Sequence, residues 1–87
     1  MHTIIIKQAR YRGGDNHQVR AYANGRPLGV SANSTNSALV AAQRCAVKAF
    51  IKLAEPQAEI AEIETRIRLT VLSEGQWQAE LQGNVPN

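Results

Sequence analysis

The sequence predicts an α+β fold in the order βββαββ, an antiparallel-rich sheet with one long helix packed across one face, and three observations carry that expectation. Residues 37–53, SALVAAQRCAVKAFIKL, are the one long run with helical period. The stretches on either side alternate apolar and polar residues at the period of two that half-buried strands require. Between two of them stands Asn24-Gly25, the strongest short hairpin signal, because a type I′ turn needs positive φ at both central residues.

In chain order, TIIIKQARY at 3–11 opens with three β-branched isoleucines and no helix cap, which favours a strand. Residues 12–16, RGGDN, have turn composition. His17 to Ala23 then sets Val19, Ala21 and Ala23 against Gln18, Arg20 and Tyr22, so the first two strands form a hairpin. After Asn24-Gly25, Leu28, Val30 and Ala32 share a face of a third strand that Pro27 and Gly29 either weaken or place at an edge. Residues 33–37 hold several side chains able to cap a helix. The helix stops near Ala54, since Pro56 cannot continue it and restricts Glu55. The alanine and glutamate content of residues 59–64 would allow a second helix, but the alternation outweighs it. About residues 60–72 are expected as one long strand, Ala61, Ile63, Thr65, Ile67, Leu69 and Val71 alternating with Glu62, Glu64, Arg66, Arg68 and Thr70. A turn at 73–76 leads to a last strand with Trp77, Ala79 and Leu81 on one side. Residues 1–87 read as a single domain, with 82–87 a flexible tail.

On the helical wheel, Leu39, Ala42, Ala46, Ala49, Phe50 and Leu53 form the expected core face, with Ala38 and Cys45 at its margin. Its mostly alanine centre lets the axis approach a sheet closely. The far side carries Val40, Val47 and Ile51 among Arg44 and Lys48. Three such side chains left in water forgo roughly 1.5 to 3 kcal/mol each relative to full burial. Val40, Arg44, Val47, Lys48 and Ile51 are therefore the expected partner-binding surface, apolar residues supplying area and cations orientation.

Catalysis is poorly provided for. The chain has one cysteine, one aspartate and two histidines, and a nucleophile needs a base and an orienting third group. Asp15 and His17 sit at a turn, where local capping accounts for them. Cys45, at the margin of the core face, reads as a small buried hydrophobe. No pair of ligating residues has metal-binding spacing on one element, and no cofactor motif is present. Glu62 and Glu64, beside Arg66 and Arg68, read as a surface charge network. No catalytic residue, metal or cofactor is expected. A net charge of +3 and a pI near 9.5 permit contact with nucleic acid, and Arg10, Arg12, Arg20 and Tyr22 combine cations with a stacking face. A lone cysteine suits a reducing compartment, and the N-terminus lacks a signal-peptide pattern, so the expected location is cytoplasmic, without membrane contact.

Two resemblances follow from residues already quoted. VRAYANGRPLG at 19–29, with Ser37, Ala41, Cys45-Ala46, Ala49-Phe50 and Leu53, resembles the second half of a double-stranded-RNA-binding domain. What it implies is a nucleic-acid-binding module whose last helix packs on its sheet through that alanine and leucine spacing. At the positions where that family carries phosphate-gripping lysines, this chain has Ala38, Leu39 and Ala42. The overall layout, with HQVRAYANGRPLGVSA at 17–32 and the alanine-rich helix, resembles small single-domain proteins of phages and mobile elements, including anti-CRISPR proteins directed at type I complexes. That implies a stoichiometric inhibitor docking on a nucleic-acid-processing complex. The expected function is thus non-enzymatic: a small binding protein for a protein or nucleoprotein partner, with nucleic-acid binding as the alternative. The helix ridge or the edge of the long strand is where a homodimer would form.

Overall fold

A computed structural model describes residues 2–9 and 16–83. Its strands are β1 (His2–Gln8), β2 (His17–Ala23), β3 (Arg26–Ser34), β4 (Ile67–Ser73) and β5 (Gln76–Leu81), and its helices are α1 (Ala38–Leu53) and α2 (Ile60–Arg66). All five strands join one antiparallel sheet in the order β3-β2-β1-β5-β4. The α+β class is therefore as expected, with the isoleucine-rich first strand at the centre and β3 at an edge.

The β2–β3 hairpin is closed by the chemistry of its turn. Asn24 and Gly25 both take positive φ, 52° and 77°, the pair of left-handed residues a type I′ turn demands. Gly29, at φ 72°, lies where the β2–β3 register shifts between Arg20 and Tyr22, so the edge strand bulges at a residue without a Cβ. Before α1, the Ser37 side chain accepts from the Val40 N–H at 3.2 Å, which satisfies one of the donors a helix start leaves open.

The register sorts the sheet into two faces. Ile4, Ile6, Val19, Ala21, Ala32, Trp77, Ala79 and Leu81 are buried under the helices. The opposite face carries Ile5, Lys7, Gln18, Arg20, Tyr22, Ser31, Gln78, Glu80 and Arg68, as the paired positions require. Against the inner face, α1 presents Ala41, Ala42, Cys45, Ala46, Ala49 and Phe50, all fully buried. The helix is rotated from the expected face: Ala41 and Cys45 are in the core, while Leu39 and Leu53 are exposed in its first and last turns. Alanines let the axis settle against β1–β3, and the larger leucines at either end stand outside that contact.

Residues 60–66 correct the expected long strand. They form α2, and only Ile67–Ser73 is β. The alternation at 60–72 coincides with a helical spacing, Ile60, Ile63, Ile67, over its first half, and a short apolar pattern cannot separate the two periods. The helix prevails because Ile63 at its centre is completely buried in the core cluster. Its termini suit it as well: Glu62 pairs with Arg66 one turn on at 3.6 Å, and the Thr65 hydroxyl donates to the Glu62 carbonyl at 2.7 Å.

Arg66 then fastens the helix-to-strand junction. Its Nη1 pairs with Glu55 Oε2 at 2.7 Å, and its Nε donates to the Gln82 carbonyl at 2.9 Å. The Gln82 N–H returns a bond to the Arg66 carbonyl at 2.8 Å. The Glu55 contact, against the cost of desolvation, holds the guanidinium pKa above its ordinary value.

The alanine face yields a test. Ala46→Leu adds volume to a site with no free space and is expected to destabilise the fold by about 1–3 kcal/mol, measured by urea unfolding; a neutral change would mean that α1 does not lie close to the sheet.

Candidate functional site, a groove between two helices

The far side of α1 is not the open ridge the wheel suggests. Because 60–66 is helical, α2 lies beside α1 and covers part of that side. Val47 is only 5 % exposed and belongs to the core cluster; Ile51 is half-buried and packs against it; Val40 is half-buried. The expectation of three solvated aliphatics is thereby corrected, and the reason is the missed helix: with a strand at 60–66, nothing would have been available to cover Val47.

What remains is a groove of about 300 Å³ lined by Val40, Gln43, Arg44, Val47, Lys48, Ile60 and Glu64. Four of the five expected partner-binding residues border it, and Ile51 does not. Sequence reasoning missed Gln43 on α1 and Ile60 and Glu64 on α2; Ile60 is 60 % exposed, an isoleucine left at the mouth of the groove. The floor is aliphatic and the rim carries two cations and one carboxylate.

The cations are held. Arg44 Nη1 donates to the Asn33 carbonyl at 3.1 Å and Lys48 Nζ to the Ser31 carbonyl at 3.3 Å. Lys52, one turn further, donates to the Leu28 carbonyl at 3.0 Å. Their stems therefore cross from helix to edge strand. Cys45 lies just beneath, fully buried, with Sγ 3.7 Å from the Val30 carbonyl. Burial pushes its thiol up to about 11, Lys48 opposing, so it stays protonated and unreactive at neutral pH.

The alternative set is divided. Arg10 and Arg12 lie outside the described residues. Arg20 and Tyr22 stand on the open sheet face, where Arg20 is directly opposite Lys7 and Lys7 Nζ lies 5.1 Å from the centroid of the Tyr22 ring, a cation–π contact. Glu62, Glu64 and Arg66, expected on this face, are on α2; Arg68 is on it, in register with Glu80. Among the described residues no group of three or more His, Cys, Asp or Glu side chains is placed to hold a metal ion. No described helix is long and apolar enough to cross a membrane.

No family model matches the chain, and no curated protein or solved structure matches it either.

Two outcomes follow from these positions. Val47→Asp, which buries an unpaired carboxylate, is expected to destabilise by about 3 kcal/mol, whereas Ile60→Glu at the exposed mouth should stay within about 0.5 kcal/mol of the parent; chemical denaturation of both variants checks the assignment. For Cys45, the folded pKa exceeds the ordinary 9.0, so the unfolded chain loses its proton first as pH rises. The Cys45 contribution is intact below pH 9 and is lost progressively toward about 11. Stability measured across that window should fall more steeply for the parent than for Cys45→Ala.

Proposed function

We propose that the protein is a non-enzymatic binding protein that docks on a protein or nucleoprotein partner through the α1–α2 groove. The observation that carries this reading is the groove itself: an aliphatic floor of Val40 and Val47 with an exposed isoleucine at the mouth and Arg44, Lys48 and Glu64 around it. Apolar anchors surrounded by polar residues supply contact area and orientation together. The floor is supported by the core, so the surface is preorganised and little ordering entropy opposes binding. In its finer form the reading takes the partner to be a nucleic-acid-processing complex, inhibited stoichiometrically, as the layout's resemblance to anti-CRISPR proteins implies.

A second reading is favoured by a separate observation. Lys7 and Arg20 face each other across β1 and β2 with Tyr22 beneath Lys7. Like charges directly opposite on a sheet repel, and a phosphate between them would relieve that repulsion while a base stacks on the ring. On this reading the open sheet face binds single-stranded nucleic acid.

One experiment separates the two. The protein, Ile60→Glu and Arg20→Glu are titrated against a purified type I CRISPR complex and, by fluorescence anisotropy, against duplex and single-stranded RNA and DNA at low and physiological salt. The groove reading expects binding to the complex, lost in Ile60→Glu and retained in Arg20→Glu. Salt-sensitive binding to bare nucleic acid, lost only in Arg20→Glu, would replace it with the second reading; no binding to the complex would remove the finer form.

A further inference from the structure

The two edges of the sheet leave their outward backbone groups in opposite conditions, and an uncovered edge is a template for another strand. On β3, Arg44, Lys48 and Lys52, spaced one turn apart on α1, donate to the carbonyls of Asn33, Ser31 and Leu28. That edge is occupied, and the cations repel a second copy of themselves.

On β4, no hydrogen bond from elsewhere among the described residues reaches the outer side. The bond from the Gln82 N–H to the Arg66 carbonyl sets the phase of the ladder. Opposed residues in an antiparallel pair alternate between those that exchange bonds and those that do not. With Ile67 opposite Leu81 and Arg68 opposite Glu80, Arg68 and Thr70 turn their N–H and C=O groups toward β5. Ile67, Leu69 and Val71 turn theirs outward. Val71 is also 69 % exposed, on the face that bears the helices but beyond their cover. No proline interrupts the strand, and its register is regular from Ile67 to Val71.

We propose that this edge pairs with the β4 strand of a second copy, antiparallel about a two-fold axis at Leu69, joining two sheets into one. In that register Leu69 faces its own copy and Ile67 faces the second copy's Val71. Every outward N–H and C=O of the three residues then finds a partner, and the side chains brought together on that face are all aliphatic. On the other face Arg68 meets the second copy's Thr70 while keeping its own neighbour Glu80, so no like charges stand directly opposite one another. Moving the axis one residue back sets Arg68 against Arg68 and turns the wrong backbone groups together. A second copy supplies a strand of matching length and chemistry, and the contact is closed, limiting assembly to a dimer. The inference goes beyond the groove reading and does not depend on it.

Sedimentation equilibrium from micromolar to submillimolar concentration tests it on the parent, Val71→Pro and Val71→Lys. Proline removes an outward N–H without touching the ladder to β5, and lysine introduces charge opposite Ile67 at a position already exposed. The parent is expected to reach twice its 9.5 kDa mass, with the dissociation constant raised at least about thirtyfold in Val71→Pro and both variants keeping the parent circular dichroism spectrum. A parent that stays monomeric throughout, or a dimer that both variants leave intact, would overturn the proposal. Should Val71→Pro fail to fold, Val71→Lys decides alone.

Discussion

A helix faced with alanine can lie nearer to a sheet than one faced with leucine, and the rest of this structure depends on that approach. Ala41, Ala42, Ala46 and Ala49 place the α1 axis close over β1–β3, with Phe50 filling the space that small side chains leave. Three consequences follow. Long cationic side chains on the β3 flank of α1 are brought within reach of edge carbonyls. The opposite flank needs a second element to cover Val47. The β5–β4 side of the sheet is only partly roofed, which leaves Val71 in solvent.

The second element is α2, and its position is set by one buried side chain and one latch. Ile63 supplies apolar burial; Arg66 supplies direction, tying the α1–α2 connection through Glu55 and the end of β5 through Gln82. A seven-residue helix is too short to be stable alone, so tertiary packing must hold it. The groove exists because of this arrangement, its floor from α1 and its mouth from α2. It could not be found by searching either helix separately.

Much of the fold was legible because its signals are local. Asn24-Gly25, the turn at 73–76 and the alternation in β2 and β5 each act through backbone conformation or immediate neighbours, so they read correctly in isolation. The segment at 60–66 did not, because Ile60, Ile63 and Ile67 satisfy one period and Ala61, Ile63, Thr65 and Ile67 the other. Isoleucine and threonine weigh toward strand, alanine and glutamate toward helix. The same ambiguity spread to the candidate site. Read as a strand, 60–66 left the ridge of α1 without a cover and put Glu62, Glu64 and Arg66 on the sheet face.

By itself, then, the sequence determined the α+β class, the two N-terminal hairpins and where α1 ends, through turn chemistry, the proline stop and periodicity. It also placed Val40, Arg44, Val47 and Lys48 on one side of the helix. Only the tertiary structure decided that Val47 is floor rather than ridge, that the cations are bound to an edge strand, and that Ile60 and Glu64 complete the groove. Those outcomes rest on contacts between residues distant in sequence, and whether an aliphatic side chain is core or surface depends on which element is available to cover it.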